Sequence, residues 1–344
     1  MSVRSWFKPS ASSPEDGRGI EPTPCTILPT SRETDARVWI CCFTRRMSFE
    51  EFRTLVARHA PVGIGTTAIP GVVVSRMNHG GSQDESTTGT ILAVVAQGTK
   101  RLSVGGVVHD YGAGQYLVAS VDLPVSGHFT DATPEHPALG FGLQLRPEII
   151  AELMLTSAAA DFPRPARGES SPPAIAVGDT SERLLDATLR MLRLLDHPRD
   201  IPVIAPMIER EILWLIMSDE QGATVRNLGL ADSSLSRVRH VVRWIREHFA
   251  EALRVDELAE LARMSPSAFY RAFHAVTLMS PIQYQKSIRL QEARLRLIAD
   301  PGDIGAIAYA VGYESPSQFS REYRREFGAS PSEDAASLRG AVRR

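Results

Sequence analysis

Two clusters of polar and basic side chains have the residue types and spacing that DNA contacts require. Arg271 follows Ser265-Pro266-Ser267, and Arg321 follows Ser315-Pro316-Ser317 at an offset of 50 residues. A guanidinium can form two hydrogen bonds with a guanine edge or bind a phosphate. At helical spacing, the outward-facing side chains are Ser267, Tyr270, Arg271 and His274 in the first cluster, and Ser317, Gln318, Arg321, Arg324 and Arg325 in the second. We predict that both clusters contact DNA, with Arg324 and Arg325 at phosphates.

Both clusters lie in repeated helix–turn–helix patterns. Phe269 faces the core of the first predicted unit, and Phe319 recurs at the same offset in the second. In each unit a Ser-Pro pair suits the start of the second helix, since Ser caps a helix and Pro fits its first turn. The pattern predicts helix-turn-helix units over 255–276 and 303–326.

The segment between the two units distinguishes two interpretations of the repeat, DNA-binding units and simple helical hairpins. One copy alone fits either interpretation about equally well. The segment from Pro281 to Ala299 predicts a long helix between the copies, about 28 Å in length. That length is close to the roughly 34 Å turn of B-DNA, so two second helices can enter successive major-groove segments on one face. Two units joined by one long helix therefore favour the DNA-binding interpretation.

Short motifs occur in a fixed order through the C-terminal part of the chain. They are Leu258-Ala259, Met264-Ser265-Pro266-Ser267, Phe269, Arg271, Phe273, Ser280-Pro281, Arg289-Leu290, Ala293, Ile307-Ala308, Val311-Gly312-Tyr313, Ser315, Phe319-Ser320-Arg321, Phe327-Gly328 and Ser330-Pro331. With these motifs, Val238 to Arg339 resembles the DNA-binding domain of the AraC/XylS transcriptional regulators. The resemblance implies base contacts from Ser267, Tyr270, Arg271, Ser317, Gln318 and Arg321. The chain departs from the family at Leu278, where Gly is usual, and at Glu333-Asp334, where an aromatic-Arg closure is usual.

The upstream part alternates short β-rich runs with turn signals between residues 66 and 146. Gly105-Gly106 suits a two-residue hairpin turn, which requires positive φ, and many short strands predict a sandwich or small barrel. Its motifs are Gln97-Gly98-Thr99-Lys100-Arg101, Gly105-Gly106, Tyr111, Ala113-Gly114-Gln115-Tyr116-Leu117 and Asp122-Leu123-Pro124. With them, this part resembles the N-terminal sensor domain of one AraC branch. The resemblance implies a cupin-like β-barrel.

Helical patterns flank the predicted strands. Pro147 to Thr156 predicts one helix, and residues 158–180 predict a loop. Two further apolar faces follow, one from Leu184 to Leu195 and one that includes Ile204, Met207 and Ile216. These two helices either cap the β-domain or form a dimer interface.

Together the patterns predict an α+β protein with a cupin-like N-terminal barrel and an all-α C-terminal domain. Residues 47–220 form the effector-sensing and dimerisation domain, 221–236 a linker, and 237–339 the DNA-binding domain. Residues 1–46, rich in Pro, Ser, Thr and Arg, predict a disordered extension. Met47 opens the first amphipathic stretch and is an alternative start of the protein.

Composition is consistent with this organisation. The 344 residues are 43% hydrophobic and 23% charged, as in a globular protein. Residues 236–344 carry 17 Lys+Arg against 13 Asp+Glu, which permits a polyanionic partner. All three cysteines precede Met47, which excludes a disulfide scaffold downstream. No apolar run suits a membrane span or a secretory signal, so we expect a cytoplasmic protein.

A metal-dependent cupin oxygenase or isomerase with a DNA-binding tail is the alternative function. Such an enzyme needs clustered ligands, and His79, His109, His128 and His136 include no His-x-His pair. The sequence therefore predicts no enzyme, no metal and no cofactor. It favours a transcriptional regulator that binds double-stranded DNA and a small-molecule effector, whose binding residues it does not identify. RNA polymerase and a second copy of the chain are further candidate partners.

Overall fold

The structure is a computed structural model, and it describes residues 48–80, 84–156, 173–230, 233–299 and 303–342. The predicted disordered extension and the alternative start at Met47 lie outside these residues. Most of the predicted loop over 158–180 also lies outside them. Among the described residues, no helix is both long and apolar enough to span a membrane.

Ten strands in the described part form two antiparallel sheets. They are β1 (Gly63–Thr66), β2 (Val72–Met77), β3 (Asp84–Thr87), β4 (Ile91–Gln97), β5 (Thr99–Val104), β6 (Val107–Gly112), β7 (Gln115–Ala119), β8 (Pro124–Phe129), β9 (Ala138–Gln144) and β10 (Ile175–Asp179). The larger sheet has the order β1-β2-β9-β4-β7-β10, and the smaller one has β3-β8-β5-β6. Leu92 and Phe141 of the larger sheet and Val125 of the smaller one are buried in a shared core. We call residues 48–229 the barrel domain.

The hairpin between β5 and β6 has the turn that its glycines predict. Val104 pairs with Val107, so Gly105 and Gly106 are the two central residues. Their φ values are 55° and 86°. Positive φ at both positions matches a turn whose twist suits the flanking strands.

Part of the predicted loop over 158–180 is a strand instead. Ile175 to Asp179 form β10, which pairs with β7 at the edge of the larger sheet. Ile175 and Ala176 are buried there. The run is only five residues long and lies beside a Pro-rich stretch, so its sequence resembles a loop. Pairing with β7 satisfies its backbone and makes it a strand.

Four helices flank the strands of the barrel domain. They are α1 (48–59), α2 (Pro147–Thr156), α3 (Glu182–Arg193) and α4 (Ile201–Met217). The prediction of α2 is confirmed. The buried faces of α3 and α4 belong to the same core as the strands, so these helices cap the β-domain. Ile204 and Met207 do not share that buried face: they are 37% and 64% exposed.

Residues 221–236, predicted as a linker, include a helix. Gly222–Gly229 forms helix α5, which buries Val225 and Leu228. Its glycines suggest a flexible segment, but Gly229 allows close packing on α2. A Cβ there would lie 2.9 Å from the backbone nitrogen of Ala151.

Seven helices follow in the described part. They are α6 (Ser234–Glu247), α7 (Val255–Leu261), α8 (Pro266–Thr277), α9 (Pro281–Ala299), α10 (Ile304–Ala310), α11 (Pro316–Phe327) and α12 (Pro331–Val342). We call residues 234–342 the helical domain. The core around α7 and α8 is continuous with the barrel core, whereas α10 and α11 pack around a separate cluster. The α+β class, with strands first and helices second, is confirmed.

Candidate nucleic-acid interface

The turn between α7 and α8 is a short hydrogen-bonded reversal. The backbone N–H of Arg263 donates to Glu260 O at 2.9 Å, and that of Met264 donates to Ala259 O at 3.0 Å. Ser265 then caps α8 by accepting from Ala268 N. The turn therefore fixes where α8 begins.

The turn between α10 and α11 repeats these bonds. The N–H of Gly312 donates to Tyr309 O at 3.0 Å, and the N–H of Tyr313 donates to Ala308 O at 3.0 Å. Ser315 caps α11 by accepting from Gln318 N. The internal repeat in the sequence is thus a repeat of backbone geometry.

The two copies differ at the left-handed positions of the repeat. Gly312 and Gly328 have φ values of 90° and 76° in the second unit. Arg263 and Leu278 occupy the equivalent positions of the first unit, with φ values of 52° and 60°. A bulky residue in this region is uncommon and strained. The first unit therefore holds two side chains where glycine would be favoured.

Aromatic packing sets which face of each second helix is buried. Phe269 and Phe273 are fully buried, and their rings meet edge to face at 5.5 Å. Phe319 and Tyr323 repeat this contact at 5.4 Å. The opposite faces of α8 and α11 consequently point away from these aromatic cores.

All nine side chains predicted to contact DNA lie on those opposite faces and are exposed. They are Ser267, Tyr270, Arg271 and His274 on α8, and Ser317, Gln318, Arg321, Arg324 and Arg325 on α11. Within the described residues, Arg271 and Arg321 form no side-chain hydrogen bond or ion pair. Their donors are therefore available to an external acceptor.

One edge of the α11 surface contacts the rest of the protein. Gln318 Nε2 donates to Glu322 Oε1 at 3.2 Å, and Lys286 Nζ donates to the same oxygen at 2.9 Å. Arg325 lines a cleft that also includes Gly106 and Leu278. The outward face of α11 therefore runs from a free side at Arg321 to a side next to the barrel domain.

Glu322 is an anchor of the second unit that the sequence does not reveal. Its other oxygen accepts from Tyr313 Oη at 3.0 Å. Burial would raise the pKa of Glu322, but hydrogen bonds from Lys286, Gln318 and Tyr313 outweigh it and hold the pKa below its usual value. The carboxylate thus links α9, the turn before α11 and α11 itself.

The connector α9 spans Pro281–Ala299, as predicted. Arg289 attaches two other segments to it: Nε donates to Phe249 O in the α6–α7 loop at 2.7 Å, and Nη1 donates to Gly312 O in the turn of the second unit at 2.8 Å. Nη2 also donates to Glu251 O at 2.8 Å. In the sequence, Arg289 is only part of a motif. Its bridging role is not predictable there, because its partners are backbone carbonyls and leave no pattern of side chains.

Glu333-Asp334 stands where the family usually has an aromatic-Arg closure, and its carboxylates form other contacts there. Asp334 is buried and forms an ion pair with Arg294 at 2.8 Å. It also accepts from Tyr323 Oη at 2.7 Å. Glu333 accepts from Ser330 N at the start of α12. Asp334 therefore attaches the last helix to α9 and α11, and Glu333 caps the start of that helix.

Leu278, which stands where the family usually has Gly, lies against the barrel domain. A Cβ at Gly105, in the β5–β6 turn, would lie 2.6 Å from Leu278 Cβ. Nearby, Gln291 Nε2 donates to Ser86 O at 3.1 Å. The C-terminal end of α8 and the middle of α9 are thus in contact with the barrel domain.

The described residues contain no group of three or more His, Cys, Asp or Glu side chains arranged to hold a metal ion. Burial lowers the pKa of His109, which favours the neutral imidazole.

Family comparisons agree with the two-domain geometry. A family model for the AraC-type transcriptional regulator N-terminus matches residues 68–224. A helix-turn-helix domain model matches residues 258–336. This chain belongs to the AraC family of transcriptional regulators. The first match covers most of the barrel domain, and the second covers most of the two helix-turn-helix units.

Curated AraC-family relatives match through part of their length. The chain is 31% identical over 134 residues to the HTH-type transcriptional activator RhaS of Escherichia coli (strain SE11), covering 38% of this chain and 46% of RhaS. It is 33% identical over 98 residues to RhaS of Escherichia fergusonii, covering 28% and 35%. The chain thus spans less than half the length of these relatives.

A solved structure shares the fold of this AraC-family chain. ToxT from Vibrio cholerae O395, bound to (E)-4-(8-methylnaphthalen-1-yl)but-3-enoic acid, covers 80% of this chain and 99% of its own. The TM-score is 0.50, and the sequence identity is 11%. At that identity the likeness concerns the arrangement of elements alone.

Proposed function

We propose that this chain is a sequence-specific DNA-binding transcriptional regulator whose activity depends on a small-molecule effector. The observation that carries the proposal is the repeated unit: two turns with the same hydrogen bonds, each followed by a helix with an exposed polar face. Helix α9 joins the units and gives a spacing of about 28 Å along its axis. This spacing suits successive major-groove segments of B-DNA.

The base-contacting residues in this proposal come from both second helices. Arg271 and Arg321 each bind a guanine edge, and Tyr270 and Gln318 extend the contact along the groove. Ser267, His274 and Ser317 lie on the same exposed faces and complete the set. Sequence choice therefore depends on two separate clusters.

Phosphate contacts come from Arg324 and Arg325 near the end of α11. Both are exposed, and positive charge there attracts the DNA backbone without choosing a sequence. Arg325 also lines the cleft beside the barrel domain. Its phosphate contact is consequently the one most sensitive to how the two domains are arranged.

The effector site in this proposal is a cavity between the two sheets of the barrel domain. It encloses about 160 Å³ and includes Lys100, Tyr111, Phe129 and Phe141. Lys100 Nζ lies 5.5 Å from the centroid of the Phe129 ring. This volume is below the roughly 300–1,000 Å³ of drug-sized sites, so it suits a small ligand. Lys100 brings a positive charge to the lining of this cavity, and we propose a ligand with a carboxylate that lies near it. ToxT, a protein of this fold, has been solved with a carboxylic acid bound.

The effector can influence DNA binding through the contacts between the domains. Since α8 and α9 touch the barrel domain at Gly105 and Ser86, a ligand that prefers one barrel conformation shifts the position of the first unit. The exposed Val203 and Met207 of α4 are the surface that we propose for pairing with a second copy.

Capture of genomic fragments by the full-length protein tests DNA binding. We expect retained fragments with a common footprint on one face of the duplex. Arg271→Ala combined with Arg321→Ala should abolish retention, and Arg199→Ala, an exposed position in the barrel domain, should not. Equal retention of all fragments by all three proteins would contradict the proposal.

The effector is tested separately by thermal stabilisation with a panel of small carboxylic acids. A true effector raises the melting temperature of the wild type and changes its footprint. In the Lys100→Met variant, the same acid should no longer raise the melting temperature. If no acid stabilises the wild type more than Lys100→Met, the cavity is not the effector site.

A further inference from the structure

A second and much larger cleft lies between the barrel domain and α6. Its volume is about 1370 Å³. One wall is the rim of the larger sheet, including Thr66, Thr90 and Gln144, and the other is the exposed side of α6 with the end of α7. It adjoins the barrel cavity at Ile91 but opens between the two domains.

The walls of this cleft are rich in arginine. The guanidinium-bearing residues are Arg237, Arg239, Arg243, Arg246 and Arg263, and the carboxylates are Asp122, Glu148 and Glu260. The cleft therefore carries an excess of positive charge, although the whole chain has a formal net charge of -2. Such a concave basic surface concentrates anions.

Most of this positive charge is not neutralised by the protein. Arg246 forms an ion pair with Asp122. Across the residues that the structure describes, Arg239, Arg243 and Arg263 form no ion pair with a carboxylate. The one side-chain bond of Arg243 is donated to His240 Nδ1 at 3.0 Å, which leaves its other donors available.

Arg239 is the residue that most needs an anionic partner. It lies in the middle of α6 and is only partly exposed. Burial lowers its pKa, and Arg243 does so too, although Glu148 and Asp122 act in the opposite direction. A guanidinium that is partly withdrawn from water without a paired carboxylate destabilises the protein. A bound oxyanion would supply the missing partner.

Arg263 supports the same conclusion from backbone geometry. Its φ of 52° is in the region that favours glycine, and the equivalent residue of the second unit is Gly312. Strained positions of this kind are often retained where the side chain has a use. Arg263 lines the cleft, is exposed, and forms no ion pair with a described carboxylate.

The barrel wall supplies groups of a different kind. No described residue forms a side-chain hydrogen bond with Thr66, Thr90 or Gln144, and all three line the cleft. Hydroxyl and amide groups bind ligand hydroxyls. The cleft therefore pairs a mostly cationic helical side with a barrel side that offers neutral donors and acceptors beside the carboxylates of Asp122 and Glu148.

We propose that this cleft binds a small organic polyanion that also carries hydroxyl groups. Arg239, Arg243 and Arg263 hold its phosphate or carboxylate groups, and the barrel rim contacts its hydroxyls. Because the two walls come from different domains, the ligand bridges them and stabilises the domain arrangement that forms the cleft. This site is additional to the effector cavity within the barrel and does not require DNA binding.

Calorimetric titration of the full-length protein tests the site with three probes. Fructose 1,6-bisphosphate and citrate represent the two sources of negative charge, and inorganic phosphate tests whether one oxyanion suffices. We expect saturable binding of one organic probe per chain, at least tenfold tighter than inorganic phosphate. Preference for the bisphosphate identifies phosphate esters, and preference for citrate identifies polycarboxylates.

Charge-removing variants locate the binding. Arg239→Gln and Arg243→Gln should each weaken the preferred probe at least tenfold, and Arg243 is exposed, so its replacement does not disturb the core. The matched control is Arg271→Gln with Arg321→Gln, which removes two arginines from the predicted DNA surface. The proposal is overturned if no organic probe binds saturably, if Arg243→Gln binds as the wild type does, or if the control loses binding equally.

Discussion

Tyr284 Oη donates a 2.7 Å hydrogen bond to the backbone carbonyl of Asp122. Tyr284 lies in the first turn of α9, and Asp122 lies in the loop before β8 of the barrel domain. The carboxylate of Asp122 also accepts from Arg246 of α6. One loop residue of the barrel domain is therefore bound by two helices of the helical domain, at the point where the core of the first unit joins the barrel core.

Replacing Tyr284 by Phe should loosen this junction without emptying the core. The ring lies 5.8 Å from that of Phe273 and would stay in place, but the hydroxyl bond is lost at a cost of about 1 kcal/mol. We expect faster amide hydrogen exchange in residues 121–124. Tyr313→Phe is the control, since its hydroxyl binds Glu322 within the second unit. Equal exchange in both variants would show that the Tyr284 bond does not couple the domains.

Asp334→Ala should strongly destabilise the second unit. The change leaves the largely buried Arg294 without its carboxylate and Tyr323 Oη without its acceptor. Breaking such a pair costs about 3 kcal/mol, which urea denaturation followed by fluorescence would measure. Asp110→Ala removes the partner of Arg101 at the surface and should shift the midpoint much less. Similar shifts in the two variants would contradict the anchoring role of Asp334.

The lowered pKa of Glu322 predicts a pH dependence of stability. A carboxyl group whose pKa is lower in the folded state stabilises the protein above its unfolded pKa, here near the usual 4.5. That contribution is lost as the pH falls through the folded value. The free energy of unfolding should therefore differ between wild type and Glu322→Gln at neutral pH, and the difference should shrink below about pH 4.5. A difference that is independent of pH would contradict this account.

Arg324→Ala should reduce the salt dependence of DNA binding. Loss of one phosphate contact lowers the slope of log affinity against log salt by about 0.9. The preferred sequence should stay the same, because phosphate contacts do not choose bases. Arg199→Ala controls for the general loss of charge. An unchanged slope would place Arg324 outside the interface.

The sequence predicts the repeat well because local signals agree with one another. Ser265 and Ser315 cap their helices, and the buried aromatic residues follow at helical spacing, so α8 and α11 are correctly placed. The faces that hold Arg271 and Arg321 follow from the same periodicity. Similarly, Gly105-Gly106 predicts its turn because that turn requires positive φ at both positions.

Features that depend on tertiary contacts could not be predicted from the sequence. Arg289 binds backbone carbonyls, and Asp122 binds helices more than 100 residues away, so neither leaves a periodic signal. The strand β10 exists because β7 offers an edge to pair with. The cleft along α6 is likewise invisible, because its two walls come from distant parts of the chain.

Selection from a random pool of duplex DNA tests whether both helix-turn-helix units read base sequence. The full-length wild type should enrich two sequence blocks whose centres are about 10 base pairs apart. Arg271→Ala should relax the preference in one block only, and Arg321→Ala in the other, each at a cost of about 1–3 kcal/mol. If no sequence is enriched, or if both variants select the same blocks as the wild type, the two helix-turn-helix units do not recognise DNA as described.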